Sequence, residues 1–109
     1  MPSILPGSTV ITTQSQLQKK FKHATDFGVV GSPNVANLAQ YDQAIKDLVA
    51  STATRHIQGI YRGLPAIINV NPVSALAVVT DLGANFITGW KLNAQQLDYV
   101  LTVGKLGGS

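Results

Sequence analysis

Between about Ser51 and Ile57 the periodicity of this chain changes, and that change limits the fold more than any other feature. Before it, Val35, Leu38, Tyr41, Ile45, Leu48 and Val49 recur at the spacing of one helical face. Gly31-Ser32-Pro33-Asn34 is a turn ahead of that run, Asn34 is a good N-cap, and Ser51-Thr52 closes it. After it, apolar residues fall into four short strand-like runs: Ile57–Arg62, Ala66–Val70, Ala75–Thr80 and Asn85–Lys91. Gly63-Leu64-Pro65, Asn71-Pro72 and Asp81-Leu82-Gly83-Ala84 separate them. Connections this short make neighbouring strands antiparallel, because a parallel pair needs a crossover of about a dozen residues.

An earlier helix is marked by Leu17, Phe21 and Ala24, capped by Thr13 or Ser15 and ended by Phe27-Gly28. The pattern predicts an α+β fold: two N-terminal helices packed on one face of a four- to five-stranded antiparallel sheet. The tail supports two readings. Asn93 with Gln96 resembles a capping box and favours a short helix, whereas Tyr99–Val103 would also suit an edge strand. Met1 to Gln14 carries Pro2, Pro6, Gly7 and several Ser and Thr without periodicity. It reads as a linker, or the stub of a longer polypeptide, ahead of one domain over residues 15–109.

Only 12% of the residues are charged, about half the usual share, so the few charges are informative. All five acids are aspartate, and the net charge is +3, which suits a polyanionic partner without requiring one. The absence of cysteine excludes disulfides, thiolate zinc sites and cysteine nucleophiles. Two histidines and scattered aspartates offer no metal-ligand spacing, so neither a metal nor a cofactor is expected. Apolar runs such as Ala75–Val79 are too short to cross a bilayer, and no signal peptide is visible, so no stable membrane association is expected.

The charge concentrates in Lys19-Lys20-Phe21-Lys22-His23, three of the eight basic side chains and one of the two histidines. Imidazole moves protons near neutral pH, and lysines beside it can hold a phosphate and the charge that builds on phosphorus. A proton shuttle among phosphate binders is the minimal equipment of a metal-independent ribonuclease. The plainer reading is a solvated basic face. Near a helix C-terminus the partial negative charge favours imidazolium, while the neighbouring lysines oppose it.

The block Gln18–Gly28, with Lys20-Phe21-Lys22-His23-Ala24-Thr25-Asp26-Phe27-Gly28, resembles the start of the colicin D-type nuclease domain, with its Lys-aromatic-Lys-His-Ala-x-Asp-Phe-Gly pattern. Gly59-Ile60-Tyr61-Arg62, Asn71-Pro72, Phe86-Ile87-Thr88-Gly89-Trp90-Lys91 and Gly104-Lys105-Leu106 resemble that family's later motifs in the same order, so the likeness runs from Leu17 to Leu106. The resemblance implies a small helix-plus-sheet ribonuclease architecture of the barnase and RelE type. It implies a toxin domain that cuts transfer RNA in the anticodon arm without metal, as in colicins and contact-dependent growth inhibition toxins. It further implies delivery within a larger secreted toxin, action in the target-cell cytoplasm, and a cognate, often acidic, immunity protein. His23 matches the family's catalytic histidine, Lys20 and Lys22 its supporting lysines, and Trp90 its active-site tryptophan. Thr88 stands where serine is usual, keeping the hydroxyl and adding a methyl.

Other residues carry two readings each. Trp90 and Tyr61 suit the core or stacking on an unpaired base. Lys19, Arg62 and Lys91 are candidate RNA contacts or simply solvated charges. Asp26 is either an orienting group for His23 or a polar stop, and His56 reads as a helix-to-strand connector. A non-catalytic RNA-binding module using the same basic face is the competing function. It would need no titrating group between the lysines.

Overall fold

The computed structural model describes residues 10–107. Of the segment expected as a linker, the first nine residues lie outside the described part. The next four are packed: Val10 is buried, and Ile11 exchanges backbone hydrogen bonds with Ala84 and Phe86. Thr13 then caps α1 (Gln14–Lys19) by accepting the Gln16 N–H at 3.2 Å.

The first helix does not continue as an α-helix to Phe27, as its apolar spacing predicts. Its winding tightens at Lys20, and Phe21–Phe27 forms a 3₁₀ helix that ends at left-handed Gly28. Helix α2 (Val35–Ala50) follows, with Asn34 accepting the Asn37 N–H at 2.9 Å. It buries Leu38, Tyr41, Ile45, Leu48 and Val49 as its spacing dictates, but its first residue, Val35, points to solvent.

The sheet contains β1 (Arg55–Tyr61), β2 (Leu64–Val70), β3 (Leu76–Thr80), β4 (Phe86–Lys91) and β5 (Lys105–Leu106), in the order β4-β3-β2-β1-β5. The first four form the antiparallel meander that the short connections require. Strand β5 corrects the all-antiparallel expectation: it pairs with β1 in parallel, Ile60 opposite Lys105 and Tyr61 opposite Leu106. The physical reason is α3 (Ala94–Val103), which supplies the long connection that a parallel partner needs. Tyr99–Val103 is therefore helical rather than an edge strand, and the Asn93–Gln96 capping box is formed in both directions.

The first hairpin also turns earlier than predicted. Tyr61 pairs with Leu64, so the loop is Arg62-Gly63, both with positive φ (52° and 83°), the pair of angles that a two-residue turn of the right twist requires. Pro65 lies inside β2, at a position where β3 no longer pairs, so its missing N–H costs no bond to that strand. His56 belongs to β1 and is not a connector. Its Nδ1 lies 2.6 Å from the Oδ1 of fully buried Asn69, whose Nδ2 donates to the Val78 carbonyl.

Helices cover both faces. Leu17, Ala24, Tyr41, Ile45, Val78 and Phe86 form one cluster under α1, the 3₁₀ helix and α2. Ile68, Val79, Trp90, Val100 and Leu106 belong to the other, under α3. Among the described residues no helix is long and apolar enough to cross a membrane.

Two positions test this construction. A methyl group on Gly59 would overlap the Gly104 carbonyl oxygen, where β5 comes up against β1. Gly59→Ala should therefore cost about 1–3 kcal/mol through overpacking, read as a lower urea midpoint. The Asp81 carboxylate accepts the Gly83 and Asn85 N–H groups at 2.9 Å each in the β3–β4 loop. The Asn85 backbone donor chiefly holds its pKa below the ordinary value. A depressed carboxylate pKa contributes stability above the unfolded value and loses it as pH falls through the folded one. The midpoint difference between wild type and Asp81→Ala should thus be full near pH 6 and close below about pH 4.

Candidate active site

A 3₁₀ helix has about three residues per turn, so side chains three apart stand in one row. That period sorts the segment Lys20–Phe27 into three rows of different character. Phe21, Ala24 and Phe27 face the core: Ala24 is fully buried and both rings pack on the α2 cluster. Both rings also meet Tyr41 edge-on, at 5.7 Å and 5.8 Å between centroids. Lys22 and Thr25 face solvent. Lys20, His23 and Asp26 make the third row, along the border between the two, with the His23 N–H bonded to the Lys20 carbonyl at 3.0 Å. In an α-helix each step of three residues falls about 60° short of a full turn, so Asp26 would lie about 120° round from Lys20; the tighter winding sets all three in one row.

The segment is pinned to β4, the edge strand that carries Thr88 and Trp90. The Lys91 backbone N–H donates to the Asp26 carboxylate at 3.0 Å, and the Gln16 amide of α1 donates to the Ile87 carbonyl. Phe27 lies over Gly89, where a Cβ would come within 3.2 Å of its ring and 2.8 Å of the Ala77 carbonyl oxygen. Asp26 is thus more than a polar stop; it fastens the His23 row to the sheet.

This docking sets His23 against Trp90, with ring centroids 5.9 Å apart and planes tilted by 35°. His23 is half-buried and its Nε2 is shielded from solvent. Trp90 is only 7% exposed and packs against Tyr61 at 6.4 Å, a contact between strands that are not neighbours, which the curl of the sheet permits. A ring so covered has little face to offer a base; it forms a wall beside the imidazole. Its Nε1 donates to Gln96 Oε1 at 3.5 Å, and the same oxygen accepts the Asn93 N–H at 3.0 Å, so the cap of α3 also holds the wall. Thr88 is fully buried and lies on the same face of β4 as Trp90, two residues away.

Positive charge converges here. Lys20 is half-buried and its pKa is lowered, first by burial and then by Lys22, Arg62 and Lys19 in turn. Arg62, held left-handed in its turn, therefore stands close enough to act on Lys20, although more than forty residues of chain separate the two. Lys19, Lys22 and Arg62 are exposed. Lys91 is exposed as well, but its side chain alternates to the opposite face of β4 from Trp90, and only its backbone enters the site's framework. The histidine, tryptophan and four of the five cations singled out in the sequence thus come together. The sequence reading missed Gln16 and the second contact of Gln96, and did not resolve the tether at Asp26. A spacing of three from Lys20 through His23 to Asp26 was the available signal, hidden by the assumption of an α-helical period.

The sequence model of the colicin D family matches residues 16–100, which includes every element from the 3₁₀ helix to β4 and most of α1 and α3. Colicin-D of Escherichia coli is 29% identical over 82 residues, 74% of this chain; that stretch is 12% of the length of the curated relative. A solved structure described as a ribonuclease from Escherichia coli complexed with its inhibitor protein is 32% identical and superimposes with a TM-score of 0.73. The match covers 84% of this chain and the whole of that one. The motif that winds into the 3₁₀ helix and the strand that receives it both lie within these matches, and the chain belongs to the colicin D family.

Proposed function

We propose that this domain is an endoribonuclease that cleaves transfer RNA in the anticodon arm without a metal ion, as the toxic part of a larger secreted protein. The observation that carries the reading is the meeting of His23, walled by Trp90, with the charges of Lys20, Lys22 and Arg62. The reading is supported by family membership and by the ribonuclease among the similar structures. A partner follows from the same reasoning. A basic site of this kind suits an acidic immunity protein that covers it, and the similar ribonuclease was solved with an inhibitor bound.

In this mechanism His23 takes the proton from the ribose 2′-OH. The 2′-oxygen attacks the adjacent phosphorus, the bond to the 5′-oxygen breaks, and the products end in a 2′,3′-cyclic phosphate and a 5′-hydroxyl. The wall of Trp90 restricts the imidazole, so less orientation is lost when substrate arrives. Lys20, Lys22 and Arg62 hold the charge that develops on the phosphoryl oxygens, with Lys19 as an outer RNA contact. Lys20 is the best placed acid for the leaving 5′-oxygen, because its lowered pKa makes it a readier donor than an ordinary lysine. Thr88 is fully buried on the same face of β4 as Trp90 and supports the site from behind that ring. The charges are assigned to lysine and arginine because, among the described residues, no group of three His, Cys, Asp or Glu side chains gathers that could hold a metal.

The test is cleavage of total bacterial transfer RNA in EDTA. Wild type should give half-sized fragments ending in a cyclic phosphate, and His23→Ala should lose at least about 10²-fold in rate. Intact RNA that is nonetheless bound would leave only the RNA-binding module. Lys20 has its own signature. The rate should fall on the alkaline side below the ordinary lysine value of 10.5, as the proton to be donated is lost. Lys20→Arg keeps the charge but not the titration; it should be slower and lack that limb, and an unchanged profile would remove Lys20 as the acid.

A further inference from the structure

Two cavities open on the surface near β5. The larger, about 400 Å³, lies around Gly59 and Gly104 and shares Lys105 with the smaller, but has no aromatic ring in its lining. The smaller, about 340 Å³, is lined by Gln95, Gln96, Tyr99, Lys105, Leu106 and Gly107 and differs in chemistry. Gln95 and Tyr99 are one turn apart on α3 and so share its outer face. Tyr99 is 49% exposed, while Lys105 supplies a cation at the β5 edge.

The cavity also joins the active site. Gln96 touches both: it lines the cavity and accepts from the Trp90 ring that walls His23. Leu106 pairs with Tyr61, whose ring rests on Trp90, and its carbonyl accepts the Arg62 N–H at 2.9 Å. An exposed aromatic face, a side-chain amide that both donates and accepts, and a cation are the three groups that read an unstacked base and its phosphate.

We infer that the Tyr99–Gln95–Lys105 cavity is a nucleobase subsite, which takes an unpaired base of the RNA next to the scissile phosphate. The inference rests on the ribonuclease reading and deepens it. Trp90 is buried and cannot stack, so Tyr99 does so in its place; the Gln95 amide meets the edge of the base, and Lys105 meets the following phosphate.

The experiment has two parts. In the first, an RNA trinucleotide is titrated into the His23→Ala domain and the Tyr99 ring protons are followed by NMR; an upfield shift is expected. In the second, steady-state cleavage of bulk bacterial transfer RNA is measured for Tyr99→Ala and Tyr99→Phe. The alanine variant should raise apparent KM about tenfold, with the loss falling on KM and not kcat, and phenylalanine should restore it. Wild-type KM in Tyr99→Ala, or a Tyr99 ring that the trinucleotide does not shift, overturns the subsite. If wild type leaves RNA intact, the ribonuclease reading fails by itself, and the titration alone then decides the subsite.

Discussion

A short stretch of tight helical winding, fastened to an edge strand by one carboxylate, governs the rest of the site. The 3₁₀ helix is longer than such helices usually run, and its hydrogen bonds are poorer than those of an α-helix. It persists because each of its rows has something to hold. The Phe21 and Phe27 rings are sunk against Tyr41, and Asp26 grips the backbone of Lys91. Without that period of three, Lys20, His23 and Asp26 would fan round the helix, and the carboxylate that fastens the segment to β4 would leave the row of the imidazole. The motif shared with the family is thus as much a prescription for winding as a set of chemical groups.

The site is electrostatically unfavourable in isolation. Lys20 loses hydration and faces three like charges, and the lowered pKa expresses that tension. A polyanion relieves it, so binding energy and the relief of repulsion act in the same direction. Any acidic surface laid over the site would offer the same relief.

Much of the architecture was legible in the sequence where one period governs a whole element. Helix α2 and the four meander strands have that property, and five of the six apolar positions spaced along α2 are buried. What stayed hidden were departures from a period. The winding change at Lys20 leaves the apolar positions Leu17, Phe21 and Ala24 intact, so α and 3₁₀ readings fit them equally. Strand β5 spans only Lys105–Leu106, too short to show alternation, and its parallel pairing depends on a close approach at Gly59. Arg62 looked like a strand end because nothing but its backbone angles marks it as a turn residue. The chemistry of the site was visible in His23 and its lysines, whereas its framework, made by backbone groups and by Gln16 and Gln96, left no trace in residue type.

The tether between Asp26 and Lys91 joins residues 65 positions apart in the chain. This has a consequence for how such a domain is made. A nascent chain carries the lysines and the histidine before the strand that receives them, so the site exists only once β4 has been made and has paired.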